Sequence, residues 1–261
     1  MSTTDFNRRN FVKHTAMGVG ALALPSLKEK AGANFFSEHP TEKKRNIVCI
    51  GAHPGDPEFG CGGTLARYSN AGHAITIIYL TRGEASDSSK TYEQMAALRT
   101  KEAEMACNVL NAKAIFAGQI DANTALNKKS IEEITELILM QQPDIVFTHW
   151  PLDTHQDHQV AALLGFNAWA KSNRAFQLYY YEVNTGNETL DFAPTDYVDI
   201  TTTRDRKKEA MFAHKTQSPE EVYASFFKTM EEFRGLEAGV QAAEGFIHFK
   251  VKGERASISG L

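Results

Sequence analysis

Cysteine is scarce: Cys49, Cys61 and Cys107 are the only three in 261 residues. An odd, sparse set without paired spacing implies neither a disulfide framework nor a cysteine-based metal site, and the three read as small buried hydrophobes. Long apolar runs are missing too. None approaches the roughly 18–20 residues needed to cross a bilayer, so no membrane span is expected. There is no surplus of positive charge either: the formal net charge is −4, which offers no electrostatic footprint for nucleic acid. Internal repeats and low-complexity segments are absent. With 42% hydrophobic and 23% charged residues, what remains is the composition of an ordinary globular protein, at a length suited to one sizeable α/β domain.

The first residues carry a pattern of their own. A twin arginine, Arg8 and Arg9, stands in "NRRNFVK", followed by the modest apolar stretch "TAMGVGALAL" and by "AGA" at Ala31 to Ala33. This order of basic, apolar and small-x-small segments reads as a cleaved twin-arginine export signal over 1–33. A polar lead-in over 34–45 and a single domain over 46–261 follow. The expected address is therefore periplasmic or secreted, with the twin-arginine export machinery as a partner.

From Asn46 onward short β-branched runs alternate with helical stripes. "NIVCIGA", "HAITIIYLT", "KAIFAG" and "DIVFTHW" read as four strands. Between them lie a stripe in "GTLARYSNAG", a helix from Met95 to Leu110 with a charged face (Arg99, Lys101, Glu102, Glu104), and a helix over roughly Ser130 to Gln141 capped by Ser130. Such alternation implies βαβ units and a parallel sheet with helices on both faces. In these folds ligands gather outside the carboxyl ends of the strands. Both conspicuous polar clusters fall there: "HPGDPE" after the first strand and "HWPLDTHQDH" after the fourth.

His53, Asp56 and His158 form a two-histidine, one-carboxylate set that suits zinc and leaves a coordination position open. Each has a plainer role as well. Asp56 before Pro57 can cap a helix, and a histidine after a strand is commonly a hydrogen-bonded turn residue, so spacing alone leaves the choice open. His155 could stabilise an oxyanion with Asp157 beside it, while Asp157 could equally support a helix start by its charge. His39, His73 and His149 read as structural or exposed.

These motifs resemble those of the LmbE-like, or PIG-L, zinc-dependent N-acetylglucosamine deacetylases. The likeness runs from Ile47 to about Phe246. The family's A-H-P-D-D-x-E is matched by "AHPGDPE" at Ala52 to Glu58, and its H-x-D-H by "HQDH" at His155 to His158. Further matches are "LTRGEA", "PDIVFTHW", "YVDIT", "KKEAMFAHKTQ" and "RGLEAGVQAAEGF". The resemblance implies a Rossmann-like three-layer α/β sandwich with a mostly parallel sheet, one zinc ion, and an N-acetylated sugar or glycan as substrate. It makes His53, Asp56 and His158 the metal ligands, His155 the oxyanion partner, Asp157 its supporting carboxylate, and Arg82 a residue near the substrate.

One position departs. The family's general base would fall at position 55, and this chain has Gly55. Glycine accepts no proton. A positioned base contributes about 10²–10⁴-fold, so an impaired deacetylase is expected. Gly55 could be a substitution in a competent enzyme; another acid, such as Asp157 or Glu58, could serve; or the chain could bind metal and glycan without catalysis. A zinc amidase acting on a non-sugar amide is a further alternative. The turn itself is expected to keep the backbone an aspartate would adopt.

Overall fold

Successive residues of the first strand point to opposite sides: Ile47 and Cys49 join one apolar cluster, Val48 and Ile50 another. The same division recurs in the strands beside it, and it is the mark of a sheet buried on both faces. In the computed structural model, which describes residues 43–250, helices cover each side. The twin-arginine segment over 1–33, and the lead-in as far as residue 42, lie outside the described residues.

The elements run β1 (Asn46–Gly51), α1 (Asp56–Asn70), β2 (Ala74–Tyr79), α2 (Tyr92–Leu110), β3 (Ala112–Phe116), α3 (Lys128–Leu139), β4 (Ile145–His149) and α4 (Gln156–Lys171). After these come β5 (Gln177–Tyr181), β6 (Asp196–Asp199), α5 (Arg204–Phe212), α6 (Pro219–Val222), α7 (Lys228–Ala238) and β7 (Ala243–His248). One turn of π-helix, Tyr223–Phe227, joins α6 to α7. The sheet order is β3-β2-β1-β4-β5-β7-β6. Its first five strands are parallel, and β7 runs antiparallel to both neighbours. Helices α1, α2 and α5 pack on the face that holds Cys49 and Tyr79, while α3 and α4 pack on the face that holds Val48 and Leu80. The sandwich is three-layered and its sheet mostly parallel, as expected; all three cysteines are free and buried.

Helix starts differ from the sequence expectation. Helix α1 begins at Asp56 and includes Gly60, Gly62 and Gly63, whose weak helix propensity hides it from a pattern reading. The glycines allow close approach: a Cβ on Gly63 would meet Ile200 Cγ2 at 2.6 Å, and one on Gly60 would meet the Glu182 carbonyl at 2.7 Å. Helix α2 starts at Tyr92, three residues early, because Thr91 and Gln94 cap it reciprocally and its exposed first turn carries no apolar signal. In α3 the cap is Asn127, not Ser130. The Asn127 side chain accepts the Ser130 N–H at 3.0 Å, and Ser130 Oγ accepts the Asn127 N–H at 2.9 Å.

Candidate metal centre

Strands β1 and β4 are hydrogen-bonded neighbours, so the loops leaving their carboxyl ends open onto the same edge. The first loop places His53 and the start of α1. The second runs into α4, whose N-cap is His155 and whose first turn carries Asp157 and His158. Two motifs about a hundred positions apart are thereby joined by strand pairing.

His53, Asp56 and His158 meet with one donor atom each, all within 4.8 Å of one another. Asp56 Oδ2 is the hub. It lies 3.2 Å from His53 Nδ1 and 3.6 Å from His158 Nε2, and it accepts the His53 N–H at 2.7 Å. Asp56 is the first residue of α1 rather than its cap, so its carboxylate is held by the turn of His53 and not by the helix end. The other ring nitrogens face carboxylates. His53 Nε2 sits between Asp157 Oδ2 at 3.1 Å and Asp121 Oδ1 at 3.0 Å. His158 Nδ1 comes within 3.2 Å of Asp153 Oδ1, an electrostatic contact outside hydrogen-bond alignment. Carboxylates behind imidazoles are the arrangement that orients histidine ligands toward a metal. A buried carboxylate, two histidines so backed, and donors this close fit a divalent ion such as zinc.

The charges lean the same way. Burial works against a charged His53, yet Asp56, Asp121 and Asp157 outweigh it and hold the imidazole well above its ordinary value. Burial likewise opposes an ionised Asp56, but His158 and His53 hold its carboxyl well below the usual range. His149 is fully buried, stacked at 4.1 Å on the His158 ring, and takes the Ala52 N–H on Nε2 at 3.1 Å. Burial and the charge of His158 push it down to about 4, so it stays neutral.

His155 stands beside the triad, its ring 4.7 Å from both His53 and His158. Its Nδ1 accepts the backbone N–H of Asp157 at 3.2 Å, which leaves the ring proton on Nε2. Burial, then the charges of His53 and His158, hold the imidazole down and uncharged. The Asp157 side chain brings a carboxylate oxygen within 4.8 Å of a His155 ring nitrogen, but its hydrogen bonds go elsewhere. It takes His53 Nε2 and the Ala122 N–H on Oδ2 and the Thr124 hydroxyl on Oδ1.

A cavity of about 420 Å³ opens over the cluster, lined by His53, Asp56, His155 and His158, by the polar Arg99, Asp121, Asn184 and Glu188, and by the apolar Phe59, Val183 and Phe227. Arg82 is not among the lining residues: its guanidinium lies over the Phe116 ring at 4.4 Å and donates to Thr100 at 2.6 Å. The arginine at the cavity is Arg99, 4% exposed, bonded to the carbonyls of Pro54 and Gly83. It does not belong to the charged face of α2, because the spacing Met95, Arg99, Ala103, Cys107 puts it on the buried stripe. Asp121 and Asp153 also escaped the sequence reading, although Asp121 follows the third strand at the same sheet edge and Asp153 lies inside "PLDTHQDH".

Gly55 lines the cavity with φ 111° and ψ −40°, a conformation that side chains bearing a Cβ rarely adopt. The expectation that the turn keeps an aspartate-compatible backbone is thus overturned. Glu58 reaches back to accept the Gly55 N–H at 3.2 Å, and the Gly55 carbonyl accepts from Phe59 at 2.8 Å, so both ends of the residue are tied.

Comparison with known proteins bears on this geometry. The profile of the PIG-L family, described as GlcNAc-PI de-N-acetylase, matches residues 48–169, which hold both polar motifs. A diacetylchitobiose deacetylase of Thermococcus kodakarensis is 25% identical over 229 residues, covering 81% of this chain and 86% of the relative. A 4-oxalmesaconate hydratase of Pseudomonas putida is 22% identical, covering 78% and 87%. Among solved structures, an inhibitor-bound N,N'-diacetylchitobiose deacetylase of Pyrococcus horikoshii superposes with a TM-score of 0.70 at 25% identity, covering 82% of this chain and 87% of that one.

Proposed function

Because the chain carries a PIG-L family domain and is related to GlcNAc-type and chitobiose deacetylases, we propose that it is a zinc-dependent hydrolase removing the N-acetyl group from a GlcNAc-type amino sugar. The observation that carries this reading is the convergence of His53, Asp56 and His158 beneath a cavity of about 420 Å³, a size ordinary for small-molecule sites. These three residues would hold the ion, which supplies Lewis acidity toward the acetyl carbonyl.

The chain's own groups have separable tasks. His155 offers a neutral Nε2–H to the oxygen that becomes negative as the acetyl carbon is attacked. Asp157 fixes the His53 ring, and Asp153 backs that of His158. Arg99, Asp121 and Asn184 are suited to sugar hydroxyls, and Phe59, Val183 and Phe227 to the apolar ring face and acetyl methyl. Gly55 leaves the turn itself without a proton acceptor, a role worth roughly 10²–10⁴-fold where a positioned base fills it. We also infer export: Arg8 and Arg9 head a twin-arginine signal, and changing both to lysine is expected to strand the protein in the cytoplasm.

The test is acetate release from a panel of N-acetylated sugars and non-sugar amides, with metal content measured alongside. Near-stoichiometric zinc and selective release from N-acetylhexosamines are expected. Protein that takes up no divalent ion, or zinc-loaded protein that cleaves no acetylated sugar, would sink the reading.

A further inference from the structure

Amide hydrolysis needs a group that takes a proton from the attacking water and delivers one to the departing amine. Four acids near the cavity are already committed. Asp56 is the hub of the metal triad, and both Asp157 oxygens are filled by His53, Ala122 and Thr124. Asp121 faces His53 Nε2 with one oxygen and accepts the Ala85 N–H at 2.9 Å with the other. Glu58 is fully buried, does not line the cavity, and is taken up by the Tyr79 hydroxyl and the Gly55 N–H.

Glu188 is different. It lines the cavity and is neither fully buried nor fully exposed; Asn184, four residues earlier in the loop, holds its side chain. Burial raises its carboxyl above the ordinary value. The His158 charge offsets this in part, and Asp56 and Asp153 add to it. A base works best with a pKa moved toward the working pH. The loop is also anchored to the segment that carries the site histidines. Thr154 donates to the Glu188 carbonyl at 2.9 Å, the Glu188 N–H reaches the Asn184 carbonyl at 2.9 Å, and the Thr189 hydroxyl bonds Asp153 Oδ2 at 3.0 Å.

We propose that Glu188 is the proton-transfer residue of this site, standing in for the carboxylate that position 55 lacks; this rests on the deacetylase reading above. Its carboxylate takes a proton from water as the water oxygen bonds the acetyl carbon. The proton then passes to the sugar nitrogen as the C–N bond breaks, so acetic acid and the free amine leave, the acid ionises in solvent, and Glu188 ends ionised.

Two measurements decide it. In zinc-loaded protein, Glu188→Gln should cut acetate release about 10²–10⁴-fold through kcat, with zinc content and KM little changed, and Glu188→Asp should retain more activity than Glu188→Gln. Turnover of Glu188→Gln within about threefold of the unmodified protein would overturn the proposal, since a proton-transfer residue is worth far more. Independently of turnover, a ¹³C titration of the Glu188 carboxyl, assigned with Glu188→Gln, should give a midpoint above the ordinary glutamate value in metal-free protein. That midpoint should fall when zinc is added, because a cation nearby favours the carboxylate. A midpoint indifferent to zinc places Glu188 away from the reacting centre and overturns the proposal, even if the sugar panel fails and the deacetylase reading falls with it.

Discussion

Two buried charged clusters touch the same helix and behave differently. At the start of α1, Asp56 joins Asp121, Asp153 and Asp157, and the ion pairs of these four acids are with histidines. Farther along α1, the backbone N–H groups of Gly63 and Thr64 donate to Glu244, at 2.9 and 2.7 Å. There Lys207 pairs with Glu231 and Glu244 at 3.1 and 2.8 Å, and Arg234 grips Glu182 through two bonds of 2.7 Å. Lysine and arginine stay charged across the physiological range, so the second cluster is neutralised by the chain itself. Histidine charge is conditional. Arg99 is the fixed cation near Asp56 and Asp121, but the ion pairs of the four acids are with histidines, which leaves a place for an external cation, and this is the physical difference between a site and a strut.

The largest expected effect separates them outright. His158→Ala should leave the protein folded and with little or no zinc, measured by metal analysis and thermal unfolding; retained stoichiometric zinc would break the comparison. Lys207→Met attacks the other cluster. It leaves buried Glu244 without a cation, held by the Gly63 and Thr64 N–H groups alone, while Glu231 keeps Arg204 at 2.8 Å; the change should cost about 3–5 kcal/mol of stability, with zinc per folded molecule unchanged. Asp157→Asn is milder: it loosens the backing of His53 and should weaken zinc binding about 10–100-fold without unfolding the protein. Gly55→Asp should cost about 1–3 kcal/mol, since φ 111° is unfavourable for a side chain with a Cβ even though the nearest heavy atoms lie at 3.8 Å. A stability-neutral Gly55→Asp would show that the turn relaxes readily.

The smallest effect is the pH response. Burial opposes charge on His53 and His158, but Asp56 with its neighbours raises both imidazoles above 6.5. In metal-free protein their protonation therefore contributes stability that is fully present below pH 6.5 and is lost as pH rises through the raised values. Zinc needs the same rings neutral, so its affinity should move the opposite way and weaken on acidification, beginning above the pH at which an ordinary histidine would let go. Unfolding of metal-free protein followed from pH 6 to 9, beside zinc affinity over the same interval, checks both signs.

Much was legible because it is local. The β1 to β4 alternation is a short-range hydrophobic pattern, and the placement of both motifs after strands follows from it. Antiparallel β7 was not legible, since nothing in "AEGFIH" tells it which neighbour it pairs with. Arg99 reads as an ordinary surface charge until α2 is docked, and only then is it enclosed by the Pro54 and Gly83 carbonyls.

The sequence by itself determined the α/β layering, because strand-helix periodicity is a property of a few neighbouring residues. It offered His53, Asp56 and His158 as candidate donors, and the resemblance to the PIG-L deacetylases singled them out together with the carboxylate absent at position 55. Tertiary structure alone decided which groups stand behind those donors. His53 meets Asp157 across 104 positions, Ala122 meets it across 35, and Glu188 reaches the cavity from a loop beyond β5. Such contacts depend on strand order and helix docking, so they exist only once the sheet is assembled.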